Sequence, residues 1–179
     1  SSQGYHSLIR IEMVERSYLE QFQPSLEDLK RHLRVTSDDL NETLEMYLRA
    51  AIESAEHHIG KVIAVSEFCY SGWFVRSFDL MPPFRKVVKV EVDRVELTKD
   101  EYTVDERTLL ISSEVSGENL VVTYQAGLSQ VPFDMKAAIL LTAAKLFNNP
   151  VDTVESLPSV AKNLLRPYRS WGMGNGTNR

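Results

Sequence analysis

Residues 40–60 read LNETLEMYLRAAIESAEHHIG, and this stretch sets the architecture. Leu40, Leu44, Tyr47, Leu48, Ala51, Ile52, Ala55 and Ile59 return at steps of three and four, the repeat of one helix face. Glu42, Glu45, Arg49, Glu53 and Glu56 take the other faces. Gly60 then supplies a residue that enters the left-handed conformation at little cost, which is a common way for a helix to end. Upstream, Thr36 and Ser37 are expected to cap this helix, with Asp38 and Asp39 at the positive end of its dipole.

Before it, Ser25-Leu-Glu-Asp28 has the form of a capping box and predicts a short helix over 26–33, with Leu26, Leu29 and Leu33 as its apolar stripe. After Gly60 the period falls from near 3.6 to near 2, and Val, Phe, Tyr and Thr become common up to about Gly127. Pro82-Pro83 blocks a helix there. The residues from Val87 to Leu97 are expected to form one long strand, with Val88, Val90, Val92 and Val95 alternating along it. Shorter strands are predicted over 102–104, 109–111 and 120–124, with turns at 105–107 and 116–119 between them. A looser alternation over Ser7 to Val14 suggests one more.

Val131-Pro132-Phe133-Asp134 opens a third helix, in which a proline in the first turn does no harm, and Asn148-Asn149-Pro150 stops it. Pro158 starts a fourth, short helix carrying Val160, Leu164 and Leu165 and ending at Arg166-Pro167-Tyr168-Arg169. Gly172 to Arg179 is rich in Gly and Asn and is expected to stay unfolded alone. The fold class read from this order is α+β, a helical domain of about four helices interrupted by an antiparallel β insertion. Residues 25–60 and 130–170 would make the helical core, 61–129 the insertion and 171–179 a flexible tail.

The chain has 179 residues, a net charge of −5 and a single cysteine. That length suffices for a hydrophobic core without disulfide or metal staples, and a lone thiol fits a reducing compartment better than secretion. No charged segment followed by an apolar run opens the sequence, so no export signal is expected. The longest apolar run, Ala137 to Ala144, is bracketed by Lys136 and Lys145 and is too short to cross a bilayer. From Lys136 onward six cationic side chains face two carboxylates, a balance of +4, which leaves −9 on the residues before it. An acidic body with a basic end suggests a charged partner or self-association between unlike surfaces.

Candidate chemistry is sparse. His57 and His58 follow Glu53 by about one turn, yet neighbouring helical residues point about 100° apart and no further ligand cluster accompanies them, so a solvated helix end is the better reading. Cys69, among Phe68, Tyr70 and Trp73, reads as a buried structural thiol. Gly172 to Gly176 follows a helix instead of joining a strand to one, which fails the context of a phosphate-binding loop. No catalytic residue, metal site or cofactor is expected. Arg166, Tyr168, Arg169 and Trp171 around Pro167 are of the types that anchor interfaces; the plainer reading is that Tyr168 and Trp171 close the helical core while the arginines stay wet.

Taken in order, Leu26 to Val35 with Asp38-Asp39, Leu44 to Gly60, Leu80-Met-Pro-Pro-Phe84 before Val87 to Val90, Val121 to Gly127, Val131-Pro132 leading into Lys136 to Phe147, then Leu157-Pro158 and Leu164 to Arg169, form a series. That series resembles the head-tail connector (adaptor, or head-completion) proteins of long-tailed phages, in the version with a β insertion. The resemblance covers residues 25 to 170 and rests on order and spacing, not on one diagnostic motif. It implies a structural subunit with no catalysis, found in the virion neck and, before assembly, in the host cytoplasm. Its implied partners are copies of itself in a ring, commonly of twelve, the portal protein above, a downstream neck or tail-completion protein, and packaged DNA passing through the channel, with no membrane. The C-terminal tail is the implied arm toward the portal, and Arg166, Pro167, Tyr168, Arg169 and Trp171 are the expected portal or subunit interface. The alternative is a DNA-packaging factor of small-terminase type that binds duplex DNA through the basic C-terminal helices. A small hydrolase built on the β insert would need a deep polar pocket, for which the residues offer no support.

Overall fold

A computed structural model describes residues 12–150 and 157–170. The chain divides into two compact units, one made by Tyr18–Val65 with Gly127–Arg179, the other by Ser1–Ser17 with Ser66–Ala126.

The first unit is helical. Helix α1 (Leu26–Leu33) opens on the capping box: the Ser25 hydroxyl accepts from the Asp28 amide at 3.2 Å and the Asp28 carboxylate accepts from the Ser25 amide at 2.9 Å. These bonds hold the Asp28 carboxyl below its ordinary value, the Ser25 amide being the largest cause. Helix α2 (Asn41–Ile59) starts later than the sequence predicts and has no side-chain cap. The Ser37 hydroxyl is used locally, accepting from the Asp39 amide, and Asp38 is drawn to the buried ammonium of Lys30 at 2.7 Å. The chain therefore makes a turn at 38–40 before the helix begins. Gly60 ends α2 in the left-handed conformation (φ 71°), as expected.

Helix α3 (Phe133–Asn148) follows Pro132 and stops before Asn149, and helix α4 (Ser159–Leu165) follows Pro158. Leu44, Leu48, Ala51, Ile52, Ala55 and Ile59 of α2 pack with Met135, Ala138, Ile139 and Ala143 of α3, Leu29 of α1, and Ala161 and Leu165 of α4 in one buried cluster. The three-and-four spacing of these residues makes that cluster continuous along α2.

The second unit is built from two antiparallel sheets. Strands β1 (Met13–Tyr18), β2 (Ser66–Trp73), β3 (Ser77–Asp79), β4 (Phe84–Val92), β5 (Val95–Glu96), β6 (Tyr102–Asp105), β7 (Thr108–Ile111) and β8 (Asn119–Ala126) form a five-stranded sheet of order β1-β2-β8-β4-β5 and a three-stranded sheet of order β3-β7-β6. Central β8 buries Leu120, Val122, Tyr124 and Ala126 at every second position. It pairs Phe68 of β2 with Tyr124, whose rings stack with centroids 5.5 Å apart.

Several sequence expectations differ from the structure in this unit. Val87 to Leu97 is not one strand: Asp93 (φ 49°) and Arg94 (φ 68°) form a two-residue hairpin turn that folds β5 back on β4, pairing Val92 with Val95. The Asp93 carboxylate stabilises this turn by accepting from the amides of Glu118 and Asn119. A register shift between Val87 and Lys89 also changes the phase of β4, so Val90 and Val92 are buried while Val88 is exposed. A strand runs over Met13–Tyr18 and overlaps the end of the one suggested over Ser7 to Val14, whose residues 7–11 lie outside the described ones. Cys69 is half-buried instead of enclosed, with the Thr123 hydroxyl 3.7 Å from its sulfur.

Candidate assembly interface

The basic end is built by α4 and the turn after it. Ala161 and Leu165 are buried, which fixes the helix on the core and leaves the other faces outward. Pro167 fits the 3₁₀ turn Arg166–Tyr168 because it is placed where no amide is needed. Two bonds pin the turn: the Tyr168 hydroxyl donates to the Asp134 carboxylate on α3 at 2.6 Å, and the Ser170 amide donates to the Ile59 carbonyl at 2.8 Å. The first raises the Tyr168 phenol above its ordinary value, because a proton donated to a carboxylate is harder to remove.

The predicted interface residues thus divide. Tyr168 is half-buried against the helical core, the role the plainer reading assigned to it. Arg166, Pro167 and Arg169 are exposed, and the Arg166 guanidinium donates to the Asn163 side chain at 2.9 Å. Trp171 and the glycine-rich run 172–176 lie outside the described residues. Arg166 and Arg169 share a pocket of about 230 Å³ with Lys162 and His58. Burial first, then the charges of Arg169, Lys162 and His57, lowers the pKa of His58. Sequence reasoning placed His58 on a solvated helix end; it sits beside the basic cluster because α2 and α4 pack together, a contact across about a hundred residues that no local pattern announces.

His57, His58 and Glu53 also border a neighbouring pocket of about 500 Å³ with Leu157 and Lys162. The Glu53 carboxylate accepts from the Tyr18 hydroxyl at 2.6 Å. Among the described residues no group of three or more His, Cys, Asp or Glu side chains has the arrangement of a metal site, and no helix is long and apolar enough to cross a membrane.

A second surface lies near the start of α2. Glu42, Glu45, Met46 and Arg49 border a shallow groove of about 230 Å³. Met46 is 59% exposed, and the Arg49 guanidinium lies over the Tyr18 ring, 4.8 Å from its centre. Met46 therefore stands exposed beside the carboxylates of Glu42 and Glu45, with Arg49 on the same groove. The helical unit presents one acidic surface and one basic surface, both on α2 and its neighbours.

A family model described as the phage gp6-like head-tail connector protein matches residues 23–169. No curated protein matches the chain by sequence. Among solved structures, a chain from the neck of a native gene transfer agent particle computed with C12 symmetry is similar with a TM-score of 0.68 at 18% identity, covering 91% of this chain and 98% of that one. A chain from the neck of an empty particle computed with C6 symmetry gives a TM-score of 0.66 at 19% identity, covering 90% and 98%. One from the virion of the native particle gives 0.67 at 18% identity, covering 89% and 98%. At these identities the likeness speaks for the fold.

Proposed function

The chain belongs to the phage gp6-like head-tail connector family, and from that premise we propose that it assembles as a ring under the portal after DNA packaging and joins head to tail. The observation that carries the reading is the family match over residues 23–169, which spans both helical segments and the β insertion. The fold likeness to neck proteins of particles treated with six- and twelve-fold symmetry supports a ring of twelve copies. The subunit is structural and performs no catalysis.

In this reading the exposed basic end of Arg166, Pro167 and Arg169, with Tyr168 holding the turn and Trp171 beyond it, faces assembly partners: a neighbouring copy and the portal. A downstream neck or tail-completion protein binds the far side of the ring, and DNA passes through its channel. The protein resides in the virion neck, and in the host cytoplasm before assembly.

Electron microscopy of the chain alone and mixed with a purified portal ring tests this. Rings, or portals carrying added density, are expected; a chain that neither forms rings nor binds the portal overturns it. The cluster of Lys162, Arg166 and Arg169 also motivates the small-terminase alternative. An electrophoretic shift assay at two salt concentrations separates the two, since a packaging factor binds duplex DNA with affinity that falls steeply with salt, whereas an acidic ring subunit shows little affinity at either.

A further inference from the structure

The acidic and basic surfaces are complementary in more than sign. The pocket of about 230 Å³ is walled by His58, Lys162, Arg166 and Arg169, and the alkyl stems of lysine and arginine supply apolar wall beneath their charges. The second surface exposes a thioether knob, Met46, beside the exposed carboxylates of Glu42 and Glu45, with Arg49 at the edge of the same groove. Methionine adapts its shape to irregular pockets, and carboxylates beside it meet the cationic rim.

The two surfaces are also placed so that one copy cannot satisfy itself. Met46 and His58 are twelve residues apart on α2, which puts them about 18 Å apart along the axis and about 120° apart around it. A knob and a pocket separated in this way join head to tail between copies, the heterologous contact that makes a ring when its rotation closes.

We infer that the Glu42–Glu45–Met46 knob of one copy seats in the His58–Lys162–Arg166–Arg169 pocket of the next, so that this contact forms the joint between neighbouring subunits. The inference rests on the ring reading and deepens it by naming the two surfaces that meet. The occupant is a second copy of this chain, because the chain itself carries the matching charge.

Charge exchange in the full chain tests it, read by sedimentation velocity over a range of protein and salt concentrations, with circular dichroism as a check that each variant folds. All four exchanged side chains are exposed, so folding is expected to survive. Wild type is expected to self-associate, more weakly as salt rises. R166E/R169E and E42K/E45K each place like charges against each other and are expected to weaken association about 100-fold, because such juxtapositions cost several kcal/mol. The chain carrying all four changes restores opposite charges and is expected to regain association; Met46→Ser is expected to weaken it without altering its salt dependence.

Half-exchanged variants that associate like wild type, or a fourfold exchange that restores nothing, overturn the joint while leaving the ring reading intact. A wild type that stays monomeric at every concentration also overturns it as the subunit joint, and the ring reading is then judged separately from particle images with the portal. Duplex DNA binding lost in R166E/R169E, with self-association unchanged, would assign the pocket to phosphate and end the proposal.

Discussion

Glu56 lies near the C-terminal end of α2, where the helix dipole disfavours a negative charge, yet the side chain is 8% exposed. Its carboxylate accepts from the Ile63 amide at 2.7 Å and from the Ala64 amide at 3.2 Å, both buried, so it holds the loop after Gly60 against the helix. Glu56→Ala leaves those two donors without this acceptor. Hydrogen bonds to a charged group contribute about 1.5 to 3 kcal/mol each, and the alanine variant avoids the cost of burying a carboxylate, which offsets part of that, so a loss of about 3 kcal/mol is expected. Glu56→Gln keeps the shape and a neutral acceptor, and should cost only about 1 kcal/mol. Urea unfolding followed by far-ultraviolet circular dichroism measures both, and amide exchange at Ile63 and Ala64 should accelerate in the alanine variant before the helices unfold. A loss below about 1 kcal/mol for Glu56→Ala, or equal losses for the two variants, would refute the assignment of the carboxylate as the acceptor that anchors this loop.

Three other outcomes are expected. Gly127 has φ 136°, and a Cβ there would lie 2.5 Å from the Val65 Cα, so Gly127→Ala should lose about 3 kcal/mol in the same urea assay; a neutral result would show that the chain reroutes freely at this point. Asp93→Ala should remove the acceptor for the Glu118 and Asn119 amides and raise their hydrogen exchange, while amides of α2 and α3 are unchanged; unaltered protection would mean the hairpin turn needs no side-chain support. Because the folded Asp28 carboxyl lies below its ordinary value of 3.8, its stabilising effect is present above that value and lost as pH falls through the folded pKa. The stability gap between wild type and Asp28→Asn, about 1 kcal/mol near neutral pH, should therefore close in acid; a gap independent of pH would rule out the charged form as the source.

Helices and their ends were legible because their signals are local. The Ser25 hydroxyl and the Asp28 carboxylate lie within one turn of the amides they cap, and Gly60 ends α2 by its own backbone freedom. The Thr36–Ser37 cap failed for a tertiary reason: Asp38 is taken by Lys30, whose ammonium is buried on α1. The Asp93–Arg94 turn was missed because neither residue is glycine, and its support comes from the Glu118 and Asn119 amides, about 25 residues away. Glu56 read as one more solvated carboxylate, since nothing in a helical period shows that two loop amides will fold back onto it.

The same division governs the candidate interface. Arg166, Pro167, Tyr168 and Arg169 stood out from composition alone, and the unequal charge of the chain's two parts was plain from counting. That Tyr168 turns to Asp134 while Arg166 and Arg169 turn outward depends on which face of α4 meets α2 and α3. By itself the sequence determined the helical core and the β insertion, how the apolar stripes of the helices run and which end is basic, because those properties depend on neighbours within a few residues. Only the tertiary structure decided that His58 and Lys162 join the arginines around one pocket and that Arg49 turns over the Tyr18 ring. Packing sets which side chains from distant segments share a surface, and only that grouping gathers the excess of positive charge around one pocket.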